Sequence, residues 1–396
     1  MRRALFPLGA AMAVAVLSTG VAFAQDASPS AAPSTAPSAA ATGAAPSAAA
    51  SVAPSGAAPS AAATAAAEPT PTPEPTPPPE ASGILKRVQD RGTLICGVSG
   101  ALPGFSVLDE ATGQYSGFDA DYCRAVAAAV LGDPTKVEFR QLTAPQRGPA
   151  LQTGEIDVLI RNTTWTSSRD ASWGLFAPTT FYDGQGIMVR ADSGVATLED
   201  LATATICVQS GTTTEQNLTD QMSARGIAFT PLVFADPPTT YAAYNEGRCD
   251  AVTSDLSQLS AQKTTLSDPA AHALLDVVLS KEPLGPATPL GDDQWFNVVK
   301  WTVFATIAAE ELGLTQASIA TADTSDPVIS RLVGATGGLA SYLALSDGWI
   351  VDVISAVGNY GEIYDRNLGP NTPFNIPRGL NSLWTNGGLL YSPPYR

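Results

Sequence analysis

Apolar positions along this chain fall into three regimes. The first follows Met-Arg-Arg, runs apolar from Ala4 to Phe23 and closes on Ala22-Phe23-Ala24. A positive start, an apolar middle and a small-residue cleavage box predict a secretory signal over residues 1–24. The second, Gln25 to Ser82, shows no periodicity; it is nearly all Ala, Pro, Ser and Thr, with Val52 its single branched aliphatic. The third, from Gly83 onward, alternates short apolar runs with helical spacing. A helix is expected over Ser82 to Asp90 and a buried strand over Leu94 to Ser99. A helix then places Phe118, Tyr122, Val126 and Val130 on one face and closes at Gly132. A strand over Val137 to Leu142, a helix near Gln146 to Thr153 and a strand over Asp157 to Ile160 complete a β-α-β-α-β series.

The series restarts after an extended crossing, Gly186 to Arg190. Ala204 to Gln209, Ile227 to Phe234 and Asp250 to Ser254 read as strands, with helices over Thr212 to Ala224 and Tyr241 to Glu246. The halves share a phrase: A-L-Q-T-G-E-I-D at Ala150 to Asp157 parallels A-Y-N-E-G-R-C-D at Ala243 to Asp250. Two α/β lobes of roughly 100 residues each fit this better than one sheet. A Pro/Gly-rich return, Glu282 to Gly291, precedes helices over Trp295 to Leu312, Ile329 to Val333, Leu339 to Ala344 and Trp349 to Tyr364. Expected boundaries are 83–186 for the first part of lobe one, 187–285 for lobe two, and 286–396 for the return to lobe one with a C-terminal helical extension.

Composition refines this picture. Residues 25–82 cannot bury enough surface to offset their ordering entropy, so a disordered spacer is expected, stiffer over its Pro-rich end, Glu68 to Glu80. The formal charge of −16 becomes −18 once the two arginines of the leader are removed. An acidic surface without a basic patch excludes nucleic acid as a partner. Four cysteines in an exported chain predict two disulfides with three possible connectivities. Pairing within each half joins Cys96 to Cys123 and Cys207 to Cys249. No metal site is expected, since the spacings do not suit zinc and His272, the one histidine, stands apart.

Candidate chemistry concentrates in D-V-L-I-R-N-T-T-W-T-S-S-R, Asp157 to Arg169. A strand end opens there into a hydroxyl-rich loop with an arginine at each end and Trp165 between. Small donors, a flat ring and a guanidinium fork at a strand's C-terminal edge suit a small anionic ligand with an apolar part. Helix capping is the other reading of the hydroxyls, and core packing the other reading of Trp165. In the second half S-G-T-T-T-E, Ser210 to Glu215, offers an anion-binding nest at a helix start. It lacks the spacing of a P-loop. Asp255 stands just past the next strand, where an Asp is as often a helix N-cap.

The phrases Y-S-G-F-D-A-D-Y-C-R-A-V-A, D-V-L-I-R-N-T-T-W-T-S-S-R-D, Y-D-G-Q-G, V-Q-S-G-T-T-T-E-Q-N-L and G-D-D-Q-W-F resemble the periplasmic amino-acid-binding proteins of ABC transporters, solute-binding protein family 3. Within them the chain is most similar to the general L-amino-acid-binding branch, over roughly Gly83 to Arg396. The resemblance implies a type II periplasmic-binding-protein fold: two doubly wound α/β sheets joined by a two-strand hinge. It implies that Arg169 grips the ligand α-carboxylate, with Asn162, Thr163 and Thr164 as donors and Thr212, Thr213 and Thr214 completing that site. Asp255 would take the ammonium. A periplasmic monomer without cofactor follows, delivering L-amino acids to permease subunits in the inner membrane.

Ser99 and Leu102 stand where many family members carry an acid that contacts ligand and an aromatic that stacks on it. Broad recognition of polar amino acids is therefore expected, with Trp165, Phe105 or Tyr182 as candidates for the missing apolar wall. A lyase on the same fold, similar to cyclohexadienyl dehydratase, is the alternative; it would need an acid in the cleft, such as Asp255, Asp183 or Glu215. S-A-Q-K at Ser260 to Lys263 lacks the companion motifs of a serine hydrolase.

Overall fold

Strand Leu94–Val98 is apolar and almost wholly buried, and it takes an interior place in its sheet. It runs parallel to Val137–Gln141 on one side and to Val158–Leu159 on the other. Ala287–Thr288 and Leu175–Phe176 extend this first sheet, Ala287–Thr288 lying antiparallel to both its neighbours. The computed structural model describes residues 79–396. The expected signal and all but the end of the expected spacer lie outside the described residues.

The second sheet has the order Thr230–Phe234, Thr205–Gln209, Ala251–Asp255, Phe181–Arg190, His272–Leu274. Its first three strands are parallel and are linked by helices Thr213–Ala224 and Pro237–Asn245. Phe181–Arg190 crosses between the sheets. Its start pairs antiparallel with Lys281–Leu284, from Phe181 opposite Leu284 to Gly184 opposite Lys281, and its later part pairs with Ala251–Asp255. Two extended segments thus carry the chain out of the first lobe and back, giving the two-lobed α/β class read from the sequence. Among the described residues no helix is long and apolar enough to cross a membrane.

One disulfide lies in each lobe. Cys96–Cys123 ties strand Leu94–Val98 to helix Phe118–Leu131, and Cys207–Cys249 ties strand Thr205–Gln209 to the approach of Ala251–Asp255. Their Cα separations are 6.0 and 5.7 Å, within the bridging range.

Two local expectations need correction, and one stretch left unassigned takes form. Helix Phe118–Leu131 is buried nearly all round, not along one face. Helices Asp293–Glu311 and Trp349–Val357 both pack on it, and Ala125, Ala127, Ala128 and Ala129 allow the close approach. The helix expected over Trp349 to Tyr364 is two, because Gly358 turns to φ 80° and Asn359 caps a new start, Tyr360–Asn367. The polar stretch before Ser116 folds as a small sheet, Ala101–Leu102, Ser106–Asp109 and Gln114–Ser116.

The C-terminal segment braces the crossing strand. Tyr182 donates its N–H to Asn381 Oδ1 at 2.6 Å, and Asn381 Nδ2 donates to the Tyr182 carbonyl at 3.1 Å. Tyr360 donates its hydroxyl to the Thr180 carbonyl at 2.8 Å. Three residues past Tyr182, buried Gln185 donates to the Thr214 carbonyl and the Thr253 hydroxyl, each at 2.9 Å.

Candidate functional site

The first lobe's parallel strands end at one edge, and the Asp157 to Arg169 stretch leaves from it. Asn162 takes a left-handed φ of 28°, which Asn tolerates better than branched residues. Its N–H donates to Asp119 Oδ2 at 2.8 Å, so a buried acid on the neighbouring helix holds the turn. Thr163 donates its hydroxyl to the Arg161 carbonyl at 2.7 Å. Thr166 caps helix Ser167–Ser172 by accepting the Arg169 N–H at 3.2 Å, so part of the hydroxyl run is a helix cap. Arg169 is therefore helical; its Nη1 donates to the Thr164 carbonyl at 2.9 Å.

In the second lobe Thr212 caps Thr213–Ala224 by accepting the Glu215 N–H at 3.1 Å. Gly211 before it has φ 69°, and a Cβ there would stand 3.0 Å from Pro145 Cγ of lobe one. Glycine is what lets this turn come so close across the cleft. Asp255 ends its strand buried and precedes helix Leu256–Lys263 without a capping bond, so capping is not its use. The lobes meet directly where Thr164 Oγ1 lies 3.2 Å from Thr213 Oγ1 and where Asn162 Nδ2 donates to Gln258 Oε1 at 3.2 Å.

Between these walls lies a cavity of about 20 Å³. Lobe one supplies Arg147, Arg161, Asn162 and Thr164; lobe two supplies Gln209, Thr212, Thr213, Thr214, Ser254, Asp255 and Gln258. Every one of these side chains is polar. By volume the space holds about one water, so an organic ligand requires the lobes to part. Charges crowd its surroundings. Burial pushes Asp119 up to about 7, with the Asn162 N–H and Arg161 pulling it partly back. Burial, then the like charges of Asp183 and Glu282, holds Asp255 well above the usual carboxylate range. Asp183 rises to about 6 through burial, and burial brings Arg161 down to about 10.

Residues 94–312 match the bacterial extracellular solute-binding proteins, family 3. The chain belongs to that family. Among relatives of this solute-binding protein, the general L-amino acid-binding periplasmic protein AapJ of Rhizobium johnstonii is 49% identical over 79% of this chain and 92% of its own length. The glutamate/glutamine/aspartate/asparagine-binding protein BztA of Rhodobacter capsulatus is 45% identical over 80% of this chain and 94% of its own. Among solved structures, an ABC transporter periplasmic binding protein from Brucella ovis with glutathione bound is 47% identical, with a TM-score of 0.76, covering 80% of this chain and all of that one.

The cavity of this solute-binding protein brings together Asn162, Thr164, Thr212, Thr213, Thr214 and Asp255 of the residues singled out from sequence. Arg169 is buried behind Thr164, with Glu282 and Asp255 its nearest influencing acids. Thr163 is buried beneath the loop, and the Ser99 N–H donates to Ser106 Oγ at 3.1 Å, away from the cavity wall. Trp165 is half-exposed and lines a separate groove with Phe176 and Tyr182. Phe105 is core, edge-on to Phe118 and Phe181. Trp295 is likewise core, its indole N–H donating to the Asp157 carbonyl at 2.8 Å.

Sequence reasoning missed Arg147, Asp119 and Glu282. An arginine in the first turn of a helix opposes the dipole there, and that misfit was the available signal for Arg147. Glu282 opened the return that was read only as Pro/Gly-rich. It is a buried strand residue that accepts from Thr164, Thr213 and Asn217.

Proposed function

We propose that this protein is the substrate-binding component of an amino-acid ABC transporter. Exported to the periplasm, it captures polar L-amino acids between its lobes and hands them to permease subunits in the inner membrane. The observation that carries this reading is the division of charge across the cleft. Arginines and loop donors of lobe one face a helix-start nest and Asp255 of lobe two around one polar cavity. A zwitterion taken from water needs both ends paired, and this arrangement offers that. Arg169 with Thr212 to Thr214 takes the α-carboxylate, and Asp255 takes the ammonium. The names of the relatives agree with an amino-acid ligand.

Closing on ligand distinguishes the loaded from the empty molecule for the permease. Thermal-shift screening followed by calorimetry tests the proposal, with common L-amino acids, their D-enantiomers and sugars. Stabilisation by polar L-amino acids alone is the expected result. Stabilisation by none of them overturns it, and turnover of prephenate or arogenate establishes the lyase alternative instead.

A further inference from the structure

Helix Asp293–Glu311 turns one face to a groove of about 380 Å³ on lobe one. Phe296, Phe304 and Ile307 of the helix line it, joined by Trp165, Tyr182 and Tyr391. Trp165 and Tyr391 are 41% and 58% exposed, so large rings border the groove without cover. Lys300 is the one charged side chain lining it among the described residues. Its Nζ stands 5.2 Å over the Phe296 ring and donates to Asn297 Oδ1 at 2.6 Å. Among the described residues no carboxylate comes within ion-pair distance of it. An aromatic trough with one cation lacking an acid suits an extended apolar segment that carries one anion.

The chain itself supplies such a segment. Pro73 to Pro78 reads P-E-P-T-P-P, four prolines and one acid, and lies just outside the described residues. It joins the folded chain at the helix start that leads into the groove. Gln294 Nε2 donates to the Glu80 carbonyl at 3.1 Å, and the Ser82 N–H donates to Gln294 Oε1 at 2.9 Å. Gln294 stands two residues before Phe296 on the same helix. From Phe296 to Ile307 the helix advances about 16 Å, and six residues of polyproline II span about 19 Å. Proline-rich segments dock on aromatic grooves at little ordering cost, because proline presets their backbone.

We propose that Pro73 to Pro78 docks in this groove as a polyproline II segment, with the Glu74 carboxylate on Lys300. The end of the spacer is thereby fastened along lobe one. This does not rest on what the cleft binds. The test uses the mature protein with Tyr391→p-benzoylphenylalanine at the exposed rim, irradiated at low concentration and mapped by mass spectrometry. Cross-links should fall on residues 73–78 of the same chain. E74K alters neither lobe and should cut their yield about threefold, and K300E combined with E74K should restore it. Cross-links that fall elsewhere on the chain, join two copies or do not form overturn the proposal, as does an undiminished yield in E74K.

Discussion

One carboxylate oxygen of Glu282 receives the hydroxyl of Thr164 at 2.6 Å, and the same oxygen receives Thr213 at 2.8 Å. Its other oxygen takes Asn217 Nδ2 at 2.9 Å. A single acid on the return strand thereby clasps a loop of one lobe to a helix start of the other. Hydrogen bonds to charged groups contribute about 1.5–3 kcal/mol each, and cutting these leaves buried donors unpaired. Glu282→Ala should disfavour the closed arrangement by about 2–4 kcal/mol. The effect is read as weaker ligand binding in calorimetry and a larger radius of gyration of the liganded protein in solution scattering.

Arg169→Ala should weaken amino-acid binding by about 2–5 kcal/mol, much of it the cost of a carboxylate left unpaired. The change should fall on all L-amino acids alike, since every one carries the α-carboxylate. Unchanged affinity in calorimetry removes Arg169 from the site.

Stability should fall as pH rises from 5 to 7. Asp119 ionises near 7 in the native state against 3.8 ordinarily, so over that window the native state holds a proton that the unfolded chain has lost. Native stability is then lost with rising pH and levels off above 7. Asp183, at about 6, adds in the same direction, and His272, lowered mainly by burial, works against it. Asp119→Asn keeps an acceptor for the Asn162 N–H and removes one titration. Between pH 5 and pH 8 the variant should lose about 2–3 kcal/mol less than wild type, by urea unfolding at the two values.

Breaking Cys207–Cys249, which closes a 42-residue separation, should cost about 3–4 kcal/mol by loop-closure entropy. The double variant Cys207→Ser, Cys249→Ser should show this as a lower denaturant midpoint. Its midpoint should respond to reductant less than that of wild type, because only Cys96–Cys123 remains.

The two α/β lobes and the disulfide pairs were legible because strand and helix periods and the cysteine halves are local signals. Helix Phe118–Leu131 was misjudged for the opposite reason. Which faces of a helix are buried depends on what packs there, and Trp349–Val357 arrives from more than 200 residues away. The loop at Asn162 to Thr164 was singled out by its own hydroxyls, and the turn at Ser210 to Glu215 by its glycine and threonines between a strand and a helix. Arg147 and Glu282 escaped because each is a single charged residue in an ordinary context. Their meaning comes from being buried where the two lobes meet.

Asn381 gives Tyr182 the donor and acceptor that another strand would have given, so the long strand is held fast to lobe one up to that residue. Gln185 pins the same strand to lobe two through Thr214 and Thr253. Only Asp183 and Gly184 lie between the two clamps, and the Asp183 carboxylate accepts the Ser257 N–H of lobe two. A turn near the end of the chain thus fixes the point up to which the crossing strand is held as part of lobe one.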